Sequence, residues 1–238
     1  MSAEAPGTAA PGAAALRAPL DPYQSGIRPG GAHAPPQVTG RGAGGPAPKR
    51  IIVGYGFWIF LLSDVIMFSS FFAAYAVLFK NTAGGPAAQQ LFDLRNTAVE
   101  TGCLLASTFT CGMASLAVGQ RSQKWTQLAL LATGLLGLAF ITLEVREFVS
   151  LVARGAGPSR SAFLSSFFTL VGCHGVHVSA GLLWLGTMMA QFYAKGFRQD
   201  IRHRFLCFSL FWHALDIIWV AIFSLVYLVG TLPPELLP

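Results

Sequence analysis

Charge is what this sequence has least of: Asp, Glu, Lys and Arg make up only 11% of its 238 residues, against roughly a quarter in soluble domains. A freely soluble globular domain is excluded by that shortage. Cysteines number four, and no two of them stand in a C-x-x-C pair, which removes the usual spacing for zinc or thiolate-held iron–sulfur clusters. They read as buried thiols. The net charge of +6 comes from 16 Lys and Arg scattered along a tail and short connections, without the basic stripe that nucleic-acid binding requires. Phosphate loops, nucleophile elbows and dinucleotide fingerprints are missing as well. The amino end lacks the basic start and short apolar run of a secretory signal, so the first apolar segment is expected to be retained.

What the chain does have is apolar residues, 53% of the total with a mean hydropathy of +0.56, gathered in long blocks. Residues 1–50 stand apart, holding 12 Ala, 9 Gly and 9 Pro. Such a segment cannot bury enough surface to offset the entropy of ordering, and a disordered tail is expected there. Beyond it come five stretches long enough, at about 1.5 Å per residue, to cross a hydrocarbon core of roughly 30 Å. They run approximately over 57–79, 98–120, 126–149, 163–193 and 205–232. The expected fold is therefore all-α, a polytopic membrane bundle of five transmembrane helices in residues 51–238. The fourth stretch has no Asp, Glu, Lys or Arg over 31 residues, longer than a perpendicular crossing, so it should tilt or extend past the bilayer.

Basic residues set the orientation. The tail and the second and fourth connections carry 11 Lys and Arg between them, the opposite side carries five, and the carboxyl end has none. The amino terminus is expected on the inner, cytoplasmic side and the carboxyl terminus outside.

Half of the ten acidic residues fall inside the apolar stretches. These are Asp64, Glu100, Glu144, Glu147 and Asp216, joined by His174, His177 and His213. A charge at mid-span costs about 2.5 to 3.5 kcal/mol on insertion scales, so these groups should face the bundle interior and be paired, protonated or hydrated. Residues three apart share a helix face, which couples Glu144 with Glu147, His174 with His177, and His213 with Asp216. Glu100, Glu144, Glu147, His174 and His177 are expected to form one polar cluster across spans 2, 3 and 4. Asp64 stands alone, about a third of the way into span 1. It is open to two readings, a proton-exchanging carboxyl or a protonated acid hydrogen-bonded to a neighbouring helix.

A metal site would resemble the carboxylate and Glu-x-x-His sets of di-metal bundles, but the pattern here is Glu-x-x-Glu and His-x-x-His. Haem would need axial ligands, and only His174, His177 and His213 are deep enough to serve. Structural hydrogen bonding is the simpler reading of these pairs. Small residues recur four apart, as Gly102, Ala106 and Thr110 and as Gly175 and Ser179, a spacing that allows close helix approach in lipid. Trp58, Trp125 and Trp212 are expected to be interfacial anchors.

Three runs carry a family resemblance: Gly56-Phe57-Trp58-Ile59-Phe60-Leu61-Leu62-Ser63-Asp64, then Phe167-Phe168-Thr169-Leu170-Val171-Gly172-Cys173-His174-Gly175-Val176-His177-Val178, then Phe211-Trp212-His213-Ala214-Leu215-Asp216-Ile217-Ile218-Trp219. In this order they resemble subunit III of haem–copper terminal oxidases, over roughly residues 51–231. The Asn81–Pro86 loop and the Gly157–Leu164 stretch are similar to the short five-helix form found in cytochrome o ubiquinol oxidase. Asp64 takes a position where many cytochrome c oxidase relatives carry Glu.

The resemblance implies an accessory subunit of a proton-pumping quinol oxidase in a bacterial-type inner membrane. Such a subunit stabilises subunit I, holds phospholipid in a cleft and helps sustain proton uptake. It also implies that the chain carries no catalytic residue, cofactor or metal of its own, with haems and copper in subunit I. The partners it implies are subunits I and II, with a small subunit IV as a further candidate. The alternatives are subunit III of a cytochrome c oxidase, and a stand-alone membrane redox protein or proton-coupled transporter.

Overall fold

The computed structural model describes residues 49–86 and 88–232, and they form helices with no strand among them. In chain order these are α1 (Lys49–Leu78), the one-turn α2 (Ala88–Leu91), α3 (Leu94–Gly119), α4 (Gln123–Ala153), α5 (Ala162–Lys195) and α6 (Gln199–Ile222), which continues as a π-helical segment, Phe223–Leu228. Five of them are long and apolar enough to cross a membrane, matching the five expected spans. Lys49 and Arg50, assigned to the tail by composition, open α1. The rest of the tail lies outside the described residues.

Local chemistry explains where the helices start and stop. Asp93 caps α3, its carboxylate accepting from the Arg95 backbone N–H at 3.0 Å, and Ser161 caps α5 through a bond from the Leu164 N–H at 3.2 Å. These bonds satisfy donors that a helix leaves open at its first turn. At the other end of α5, Gly196 takes a φ of 64°, a left-handed conformation that costs glycine little. The last long helix begins six residues before the apolar block that announced it, because Ile201 and Phe205 are buried and Asp200 sits in its first turn, where an acid favours the helix dipole.

The α3–α4 pair has the most extensive contact, α4 packs on α5 and α5 on α6, and α6 also touches α3 and α1. Helix α6 is central: 56% of its most apolar stretch is buried, against 11% for α1. The side chains at its core are Phe208, Trp212 and Trp219, all essentially inaccessible. Trp212 is thus a core residue and not the interfacial anchor that its position suggested. Trp58 and Trp125 are exposed. The Trp212 Nε1–H donates to Ser107 Oγ at 3.1 Å and the Trp219 Nε1–H to Thr101 Oγ1 at 3.0 Å. Two indoles seven residues apart therefore tie one face of α6 to α3.

Close helix approach occurs at other glycines than those expected. A Cβ at Gly137 would lie 3.0 Å from both Leu182 and Trp212, and one at Gly181 3.0 Å from Trp212. The space around Gly102 and Gly175 is open. The large indole of Trp212 needs a flat wall on both α4 and α5, and glycine supplies it.

Candidate functional site

The bundle separates the ionisable residues into three groups. The first comprises Glu100 on α3 with Glu144 and Glu147 one turn apart on α4. One carboxylate oxygen from each lies within 4.8 Å of the others. Glu100 and Glu144 are buried and Glu147 is half-buried. Asn96, one turn before Glu100, donates its Nδ2–H to Glu100 Oε1 at 3.0 Å. Glu100 Oε2 and all four oxygens of Glu144 and Glu147 are buried without a hydrogen-bond partner. Tyr227, from the π-helical segment, faces the same three acids, and its fully buried hydroxyl closes no hydrogen bond.

The second group is the histidine layer. His174 stacks on Trp219 with ring centroids 5.2 Å apart, and meets Phe140 at 5.9 Å and Phe68 at 6.3 Å edge-on. Its two nitrogens have no partner. His177, one turn on, bonds through Nδ1 to the Cys173 carbonyl at 2.8 Å and lies 5.3 Å from Phe68. The expected five-residue cluster is therefore corrected. The glutamates of spans 2 and 3 converge, while the histidines of span 4 lie among aromatic rings. Among the described residues, the one set of three His, Cys, Asp or Glu side chains placed to hold a metal ion contains no histidine.

The third group borders α1. Asp64 is half-buried beside Cys173 of α5, and among the described residues no neighbour donates a hydrogen bond to it. His213 bonds through Nδ1 to the Ser209 carbonyl at 2.7 Å, and Asp216, beside Thr108 and His213, keeps Oδ1 unpartnered. His213 also lines an apolar groove of about 500 Å³ between α1 and α6, with Leu61, Val65, Phe72, Ile217 and Leu225.

This arrangement has the interior of a membrane bundle whose polar groups sit between helices. Residues 45–231 match the family model described as cytochrome c oxidase subunit III. The chain belongs to that family. It is accordingly a multi-pass membrane protein and part of an oxidoreductase complex. It is 51% identical over 178 residues to the cytochrome bo(3) ubiquinol oxidase subunit 3 of Pseudomonas aeruginosa, covering 75% of this chain and 85% of that protein. It is 41% identical over 175 residues to the quinol oxidase subunit 3 of Bacillus subtilis, covering 74% and 86%. A cytochrome c oxidase subunit 3 from a Bacillus species is also 41% identical over 175 residues, covering 74% and 84%.

Within this subunit III, sequence reasoning missed Tyr227 and Asn96 beside the glutamates. Tyr227 sits in a continuous apolar run, where periodicity gives no facing information. The π-helical segment then shifts the face by one residue, burying both Val226 and Tyr227. Asn96 had a usable signal, being four residues before Glu100 on one helix face.

Proposed function

We propose that the chain is the non-catalytic third subunit of a proton-pumping quinol oxidase, the haems and copper of which reside in subunit I. Quinol oxidation and reduction of oxygen to water are then the work of the complex. The observation that carries this reading is similarity to quinol oxidase third subunits along most of their length. Identity is higher to the Pseudomonas ubiquinol oxidase subunit than to the Bacillus cytochrome c oxidase subunit, which favours quinol as the donor. The chemistry of the bundle agrees. His174 of α5 stacks on Trp219 of α6 and meets Phe140 of α4, a packing that holds three helices together, while His177 and His213 each bond a carbonyl of their own helix.

Subunit I and subunit II, with a small subunit IV, are the proposed neighbours, and phospholipid is the proposed occupant of the α1–α6 groove. That groove is apolar and open along one side of α1, and its wall residues are ones that an acyl chain would cover at little cost. In the orientation given by the basic residues, Asp64, midway along α1, is proposed to support proton uptake. The amino terminus is then cytoplasmic and the carboxyl terminus periplasmic.

The test is to tag the chain, solubilise its native membrane in mild detergent, and identify what copurifies. Oxygen uptake is then driven by ubiquinol and by reduced cytochrome c in parallel. Copurifying haem–copper subunits with quinol-driven uptake are expected. Uptake driven by cytochrome c alone would move the chain to the cytochrome c oxidases, and a chain purifying alone with bound haem would overturn the accessory reading.

A further inference from the structure

We infer that Glu100, Glu144 and Glu147, capped by the Tyr227 hydroxyl, form a site for one hard divalent cation of the calcium class, tying α3 to α4 and to the π-helical end of α6. The ligands all come from this chain, so the site stands independently of the choice between quinol and cytochrome c.

Three observations carry it. The first is the convergence of the three carboxylates, with their ligand atoms within 4.8 Å of one another. Calcium–oxygen distances are about 2.3 to 2.6 Å, so oxygens on opposite sides of the ion sit roughly 4.6 to 5.2 Å apart. Each pair of ligand atoms in the triad lies within that limit. The second is that its oxygens lack donors. Five of the six have no hydrogen-bond partner, and the Asn96 amide serves only Glu100 Oε1. An anion taken out of water needs a counter-charge or several donors, and the packing gives Glu144 neither, while Glu147 has only the nearby Arg154 and the Tyr227 hydroxyl.

The third observation comes from another element. Tyr227 is fully buried, and its hydroxyl faces Glu147 without a close hydrogen bond and with no other partner. Its ring is held by Phe92 at a centroid distance of 4.8 Å and by Phe167 at 5.9 Å. A neutral oxygen fixed beside three carboxylates is a fourth ligand for a cation that prefers oxygen.

Access is built in. Glu147 also lines a cavity of about 280 Å³ near the α3 start and α4 end, together with Asp93, Asn96 and two cations, Arg146 and Arg154. The Arg154 guanidinium is engaged by Ser150 Oγ, with N–O distances of 2.7 and 3.2 Å. A hydrated ion could thus reach Glu147 first and shed water as it passes inward to Glu144. An all-oxygen donor set without thiolate or imidazole selects calcium, magnesium or manganese over zinc or copper.

Manganese serves as the probe, because its electron paramagnetic resonance counts bound ion directly. The complex that copurifies with the tagged chain is stripped with EDTA, titrated with Mn²⁺, and then challenged with Ca²⁺. The wild type is expected to retain one equivalent of Mn²⁺ that Ca²⁺ displaces. Glu144→Gln is expected to lose that equivalent while other metal sites of the complex persist. Tyr227→Phe, which keeps the ring in its aromatic nest, is expected to bind roughly 10-fold or more weakly. Should Glu144→Gln fail to assemble, Tyr227→Phe and the wild-type titration still decide. Equal manganese counts in wild type and an assembled variant would overturn the site, as would a stripped wild type that retains no Ca²⁺-displaceable manganese.

Discussion

His174 shows how a polar residue in a membrane bundle can contribute mainly through its shape. It is fully buried, stacked on Trp219, and neither ring nitrogen has a hydrogen-bond partner. An unsatisfied buried polar group costs about 1 to 3 kcal/mol, while an aromatic stack contributes roughly 0.5 to 1.5 kcal/mol beyond its area. His174→Leu, which fills similar volume, is therefore expected to leave the thermal stability of the assembled complex unchanged or slightly raised. His174→Ala opens a cavity and should lower stability by about 2 to 5 kcal/mol. Thermal denaturation of the two purified variants checks this, and a Leu variant as unstable as the Ala variant would show that the imidazole makes a polar contact. Asp64 makes the opposite case. Nothing in the packing needs its charge, so Asp64→Asn should assemble with a stability change within about 0.5 kcal/mol. Its turnover should nevertheless fall or decay during sustained oxygen uptake, and a variant as fast and as durable as wild type would remove Asp64 from proton delivery.

At the scale of helices, the decisive irregularity is the π-helical segment Phe223–Leu228 after α6. It adds a residue to the helical phase, so that Tyr227 follows Trp219 onto the buried face and lies 6.3 Å from it. Such bulges often mark functional places in a helix. Deleting the exposed Leu225 should restore α-helical phase and rotate Tyr227 out of the nest made by Phe92 and Phe167. The expected loss is of the order of 3 to 5 kcal/mol, the range for removing a buried aromatic, read as a drop in the melting temperature of the complex. A deletion variant as stable as wild type would mean that the bundle absorbs the phase change. The same irregularity explains part of what was legible. Five long apolar blocks give five spans and their order. Facing is harder to read, because an apolar run in lipid carries little contrast between its sides. Glu144 and Glu147 were recognisable as neighbours on one face, and Glu100 as lying at their level. His174 was expected to join them because depth along a helix is readable while rotation about it is not. Trp212 was placed at a span end for a related reason: only the packing shows that Gly137 and Gly181 make room for its ring.

For the whole molecule, the asymmetry that matters is between the two ends of the bundle. The connection before α6 and the start of that helix carry Lys195, Arg198, Arg202 and Arg204, and the α3–α4 turn carries Arg121 and Lys124. The glutamate triad lies toward the other end, near the Asp93 cap and the Ala153 end of α4. Positive residues are retained on the cytoplasmic side during insertion, so the proposed orientation puts the triad and its access cavity in the outer half. In that orientation the proposed cation site would have periplasmic access, which is open to direct measurement. The native cysteines are buried or half-buried within helices, leaving a low background for thiol labelling. Ser159 is exposed in the connection between α4 and α5, and Gln123 is exposed at the start of α4. With a membrane-impermeant maleimide, Ser159→Cys should label in intact cells with a permeabilised outer envelope. Gln123→Cys should label only once the inner membrane is opened. The reverse pattern would invert the subunit, placing the triad on the cytoplasmic side. It would then turn the access of the cation site toward the cytoplasm while leaving the site itself intact.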